Sequence, residues 1–152
     1  MGTHLSSIDD LPGLAGTDLG TSDWIDICQQ RVNGFAEDTE DRQWIHVDPQ
    51  RASRDSPFGG PIAHGYLTLS LISAFWEQLL QVDGLLVAVN YGLNKVRFPL
   101  QCPWGRESGC RQPSTLSTMS AAASQVVLNA MIEAEGGSKP VCVAEPAFRL
   151  YR

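Results

Sequence analysis

Positive charge is scarce in this sequence. Eleven Lys and Arg stand against 17 Asp and Glu, giving a formal net charge of −6. A broad nucleic-acid surface wants the opposite balance. Charge of either sign is thin, at 18% of residues against 43% hydrophobic ones, and that composition excludes a disordered chain. No apolar run reaches the ~20 residues that span a bilayer. No export signal is visible, since Asp9 and Asp10 interrupt the N-terminus where such a signal would be apolar. The four cysteines are Cys28, Cys102, Cys110 and Cys142. Their spacing fits no zinc pattern, because Cys102 and Cys110 have no His or second close Cys pair to complete a site. Without an export signal they read as free thiols of a reducing cytoplasm. Internal repeats and low-complexity tracts are also missing. What remains is 152 residues, enough for a single domain, 1–152, with a core of its own.

The chain is organised around Pro61 to Leu80. From Tyr66 to Gln78 there is no Gly or Pro, and Glu77 carries the only charge. Leu67, Leu71 and Ala74 fall on one helical stripe, and Leu69, Ile72, Phe75 and Trp76 on another. A helix apolar nearly all round is buried on most sides, and at roughly 15 residues it is too short to cross a membrane. The turn Phe58-Gly59-Gly60-Pro61-Ile62-Ala63-His64-Gly65 leads into it. That turn presents unpaired backbone N–H groups, suited to an anion or a polarised carbonyl.

Residues 1–21 read as a loose arm with at most one helical turn. Asp23 to Ile27 alternates like a strand, and Gln29 to Glu37 has helical spacing. Asp38 to Asp48 reads as a polar loop. Asp48 and Pro49 then suit the cap and first position of a short helix ending near Arg54. Leu85 to Tyr91 is apolar and rich in β-formers, whereas Asn94 to Phe98 alternates. Gln125 to Glu135 and Lys139 to Tyr151 flank Gly136-Gly137, a hairpin signal. One buried helix followed by antiparallel-looking strands makes an α+β fold.

Candidate chemistry gathers before and at the helix entry. Asp41 and His46 share the polar loop, and a carboxylate and imidazole that hold one water can pass protons both ways near neutral pH. Asp41 as a turn cap and His46 as a satisfied polar residue would be the plain alternative. Gly65 can donate its N–H to an oxyanion, or simply allow close packing. His64 is a turn residue, a cap or a substrate contact. Ser70, inside the helix, can bond back to the preceding turn. Lys95 and Arg97 form one candidate basic cluster for an anionic ligand, or a solvated strand face.

Three segments together carry a resemblance: Asp41-x-Gln43-x-Ile45-His46-Val47-Asp48-Pro49, then Phe58 to Gly65, then Asn90-Tyr91-Gly92-Leu93-Asn94-Lys95-Val96-Arg97-Phe98-Pro99. The combination resembles the MaoC-like dehydratases, the (R)-specific enoyl-CoA hydratases of the hotdog superfamily. It covers roughly Asp23 to Pro99 and resumes near Ser114. The resemblance implies a long helix enclosed by a curved antiparallel sheet, a homodimer, and reversible hydration of a trans-2-enoyl-CoA to an (R)-3-hydroxyacyl-CoA. It gives Asp41 and His46 the acid–base role and Gly65 the N–H that polarises the thioester carbonyl. Ser70 becomes a supporting residue, and His64, Lys95 and Arg97 substrate contacts, the last two with CoA phosphates. No metal and no separate cofactor are implied, because coenzyme A belongs to the substrate and the carbonyl already has its donor. The family's usual Gly before the Asp is Glu40 here, and its frequent Asn-Pro is Gln43-Trp44. A hotdog thioesterase and a non-catalytic acyl-CoA-binding protein are the rival expectations.

Residues 100–112 depart from the family, which continues here with a strand entry like Val-Pro-Val-Gly-x-Arg-Val. This chain has Gln101-Cys102-Pro103-Trp104-Gly105-Arg106-Glu107-Ser108. Codons for that peptide exist which, read two bases later, give Val-Pro-Val-Gly-Ala-Arg-Val. The expectation is a local frame slip restored before about Ser114, with Trp104 and the Cys102/Cys110 pair as accidents of it.

Overall fold

A computed structural model describes residues 2–102, 110–112, 114–122 and 124–152, with backbone alone for 110–112, 114 and 117–122. In chain order it contains β1 (Thr3–Leu5), a 3-10 helix (Ile8–Leu14), β2 (Asp18–Thr21), β3 (Ile25–Ile27), α1 (Gln29–Thr39), α2 (Trp44–Val47), α3 (Pro49–Asp55), α4 (Gly65–Ser70), α5 (Ile72–Leu79), β4 (Leu80–Val82), β5 (Val87–Arg97), β6 (Cys110–Gln112), β7 (Ser114–Ala122), β8 (Gln125–Ile132) and β9 (Cys142–Tyr151). The expected frame-slipped stretch falls largely on 103–109, outside the described residues. Among the described residues no helix is long and apolar enough to cross a membrane.

Five strands form one antiparallel sheet in the order β2-β7-β8-β9-β5. The Gly136 turn, at φ 72°, closes the β8–β9 hairpin as expected. Phe75 of α5 is fully buried in one core with Leu116, Leu128, Ile132 and Leu150 of the sheet. Trp76 stacks on Phe148 of β9 at 5.2 Å. Each such side chain contributes about 1.5–3 kcal/mol of burial. A helix held against an antiparallel sheet is the α+β hotdog architecture.

Several expectations need correction. The N-terminal 21 residues are not a loose arm. Ser7 caps the 3-10 helix by accepting from the Asp9 N–H, and Ile8, Leu11 and Leu14 are buried in the main core. Their spacing of three suits a 3-10 helix, whose turn of about three residues places them on one side. β1 pairs in parallel with β4, at the far end of the central helix.

The central helix is not continuous. α4 and α5 meet at Leu71, whose N–H bonds to Thr68 O at 3.3 Å. The carbonyl four residues back, Leu67 O, is taken instead by the Ser70 hydroxyl at 2.7 Å. A serine bonded to its own preceding turn competes with the helical ladder and bends it. Nor is the helix enclosed on all sides, because Tyr66 is 69% exposed.

The two strands expected between Leu85 and Phe98 are one strand, β5, with irregularities between Asn90 and Gly92 and between Leu93 and Val96. It lies at the sheet edge, and Val87, Val89, Tyr91 and Leu93 face outward rather than into the core. The polar loop from Asp38 to Asp48 holds a single helical turn, α2. Asp48 caps α3, accepting from the Arg51 N–H at 2.9 Å, as its sequence predicts.

Candidate active site

α1 ends at Glu40 in a left-handed conformation, φ 61°. Glycine is the usual occupant of such a position, and a non-glycine residue is strained there. The turn delivers Asp41, half-buried, toward the helix entry. Arg42 returns to α1 and pairs with Glu37 at 2.9 Å. The Arg42 hydrogen bond and charge hold the Glu37 carboxyl below its ordinary range.

α2 supplies His46, 6% exposed. The Ile45 carbonyl accepts from the Ile62 N–H at 3.0 Å, tying α2 to the turn before α4. The His46 ring completes the tie through Nδ1 and the Ile62 carbonyl at 2.7 Å. A carbonyl can only accept, so Nδ1 carries the hydrogen and the neutral ring keeps its lone pair on Nε2. Burial lowers the His46 pKa below its ordinary 6.5. The Ile62 bond works against that shift, the neighbouring His64 adds to it, and Asp41 again opposes it. From α1, the Gln29 amide donates to the His46 backbone carbonyl at 3.0 Å. Gln29 went unremarked in the sequence because its contact spans 17 positions and follows no short motif.

His64 is 2% exposed and stands immediately before α4. Its Nε2–H donates to the Asp41 backbone carbonyl at 2.9 Å, by the same logic of a carbonyl acceptor. Its ring stacks on His46, with centroids 3.8 Å apart and planes 28° from parallel. Phe35 of α1 packs on its other neighbourhood at 5.0 Å. His64 Nδ1 is buried without a hydrogen-bond partner, a feature that in native proteins calls for a functional reason.

One ligand atom from each of Asp41, His46 and His64 lies within 4.8 Å of the others. Two imidazoles and a carboxylate suit a transition metal by donor type. The geometry does not suit one. The in-plane lone pairs of two rings stacked 28° from parallel cannot meet at a point about 2 Å from each nitrogen.

Gly65 opens α4 and shares a cavity of about 250 Å³ with His46, lined also by Ile45, Phe58, Phe98 and Val141. A Cβ on Gly65 would meet the Phe98 ring at 3.2 Å, so glycine here serves a close approach. Asp41 is not in that lining and reaches the centre beside the two imidazoles. Ser70 lines a different cavity of about 460 Å³, between Tyr66, Leu69 and Asn90 to Leu93 of β5, and its hydroxyl is bonded to Leu67. Lys95 and Arg97 are exposed on β5 and line neither of these cavities. Arg97 donates to the Val96 carbonyl at 2.7 Å. The structure thus brings Asp41, His46, His64 and Gly65 together and leaves Ser70, Lys95 and Arg97 apart from them.

Comparison with known proteins finds relatives of the chain. The profile of the MaoC-like domain matches residues 11–107. The chain is 46% identical over 146 residues to 3-hydroxyacyl-thioester dehydratase Z of Mycobacterium tuberculosis, covering 94% of this chain and 95% of that one. It is 40% identical over 143 residues to nodulation protein N of Rhizobium meliloti, covering 93% and 89%. In fold it matches the (R)-hydratase from A. caviae involved in PHA biosynthesis, with a TM-score of 0.72 at 23% identity over 90% of this chain and 96% of that chain. R-hydratase PhaJ1 from Pseudomonas aeruginosa gives a TM-score of 0.71 at 23% identity, covering 90% and 81%.

Proposed function

The chain belongs to the MaoC-like family of hydratases and dehydratases, and from that premise we propose that it reversibly hydrates a trans-2-enoyl-CoA to an (R)-3-hydroxyacyl-CoA. The observation that carries this reading is the pairing of a buried imidazole, its lone pair fixed on Nε2, with a nearby carboxylate, in a cavity that Gly65 also lines.

The Gly65 N–H donates to the thioester oxygen and draws electron density from the alkene, which makes Cβ electrophilic. A water lies between the Asp41 carboxylate and His46 Nε2. His46 takes one proton of that water while the hydroxyl oxygen bonds to Cβ, and charge moves onto the thioester oxygen. The imidazolium then gives its proton to Cα on the same face, and the carbonyl re-forms. Asp41 orients the water and stabilises the imidazolium between the two proton transfers. Run backward, the same steps dehydrate the hydroxyacyl thioester. The lowered pKa of His46 supports its role as the base, because the ring is neutral at the start. No step requires a metal or a separate cofactor.

The proposed assembly is a homodimer in a reducing cytoplasm. The edge strand β5 exposes Val87, Val89, Tyr91 and Leu93, and an open apolar edge of that kind invites a second strand. Lys95 and Arg97 on the same strand are proposed to meet the CoA phosphates. The test is to mix the protein with crotonyl-CoA and follow enoyl absorbance and free thiol together. Loss of the enoyl signal without thiol release supports hydration. Thiol release would instead assign a thioesterase, and tight binding with neither change an acyl-CoA-binding protein.

A further inference from the structure

We propose that His64 is a positioning residue of the hydration centre, which fixes the spacing between Asp41 and His46. This rests on the hydratase reading above. It departs from the expectation that His64 contacts substrate.

The argument begins with what His64 does not do. It occupies the position that caps α4, where Ser, Thr, Asp or Asn would normally bond to the first turn. Its side chain makes no capping bond. Only 2% of the residue is exposed and it does not line the cavity shared by His46 and Gly65, so it is poorly placed to touch a thioester there.

What it does instead is join three elements. Through Nε2–H it holds the main chain of Asp41 at 2.9 Å. Through its ring face it backs His46 at 3.8 Å. Phe35 of α1 packs against it at 5.0 Å. The backbone bond sets where the Asp41 side chain starts, and the stack stops the His46 ring from swinging about its Nδ1 bond to Ile62. One side chain therefore controls the separation of the two groups that share the water. A capping residue or a generic core residue would account for neither contact.

Two variants both remove the stacked ring and differ in the bond to Asp41. In His64→Gln the side-chain amide reaches the position of Nε2 and can still donate to Asp41. In His64→Asn the amide reaches only the position of Nδ1, and the bond is lost. Expected for His64→Asn is a fall in kcat of about 10²-fold with KM nearly unchanged, the size of effect that a ~1 Å misplacement produces. His64→Gln, which restores the Asp41 bond but not the stack, recovers part of that loss. Nitrogen NMR of the His46 ring gives a second readout that needs no turnover. The parent should keep the Nδ1–H form, and both His64→Gln and His64→Asn, which lack the stacked ring, should show a mixture of the two ring forms.

Unchanged kcat in His64→Asn, or a loss carried by KM alone in both variants, would overturn the proposal. So would identical His46 spectra in all three proteins. If His64→Asn does not fold, His64→Gln decides: a loss of kcat as large as about 10²-fold with the His46 ring form unchanged refutes the positioning role. A parent protein that hydrates no enoyl-CoA removes the hydratase reading, while the ring-form comparison still tests His64.

Discussion

Two cavities open beside the start of the central helix. The smaller, about 250 Å³, lies against Gly65 and Thr68; the larger, about 460 Å³, against Tyr66, Leu69, Ser70 and Ser73. On α4, Gly65 and Thr68 fall on a different face from Tyr66 and Ser70. Both cavities are mainly apolar, and size alone would favour the larger. Yet only the smaller combines a buried imidazole with an amide at a helix start. The larger borrows its wall from the exposed edge strand β5 and offers hydroxyls and an amide, with Tyr91 its nearest approach to a titratable group besides Tyr66. On the proposed reading, the chemistry follows the tied imidazole and not the volume.

The sharpest way to break this comparison is to disarm each cavity in turn. His46→Gln and Asp41→Asn should each lower hydration by about 10²–10⁴-fold, measured as kcat/KM on crotonyl-CoA. Equal losses from Ser70→Ala would mean that the chemistry had been placed on the wrong face. Next in size is Gly65→Ala. The new methyl meets the Phe98 ring at 3.2 Å, and overpacking of this kind destabilises by roughly 1–3 kcal/mol. Thermal unfolding would register that loss, with activity falling as the amide shifts.

A pH series sharpens the contrast further. His46 has its pKa lowered below 6.5 in the folded chain. The unfolded chain then binds the proton first as pH falls, so folded stability should drop as pH goes from 6.5 toward the folded-state pKa. Above that window the contribution is complete. Activity should lose its base on an acid limb that also lies below 6.5. Denaturant unfolding of the parent beside His46→Gln isolates the effect, and the variant should lack this part of the slope.

How much could be read from the chain itself depended on where each signal resides. The Phe58 to Gly65 turn, the Asp48 cap and the Gly136 hairpin are local signals, and each produced the element its residues suggest. The N-terminal segment misled because the period of Ile8, Leu11 and Leu14 is that of a 3-10 helix and its apolar density is low. The break at Leu71 was hidden because it depends on which carbonyl the Ser70 hydroxyl takes. The stacking of His64 on His46 joins positions 18 apart and left no trace in spacing.

Glu40 shows a local signal acquiring its reason only from coordinates. The family's usual glycine before the Asp meets a left-handed backbone, φ 61°. Glu40→Gly should therefore relieve strain and raise unfolding stability by about 1 kcal/mol, measurable by chemical denaturation. The smallest expected effect belongs to Ser70→Ala. It frees Leu67 O for the regular ladder and should change stability by less than about 0.5 kcal/mol, with hydration essentially retained.

The most direct test of the central claim is the product formed from crotonyl-CoA in deuterated water. The account predicts (R)-3-hydroxybutyryl-CoA with solvent deuterium on Cα, added to the same face as the new hydroxyl, and no such product from His46→Gln. An (S)-product, deuterium on the opposite face, or undiminished conversion by His46→Gln would contradict it.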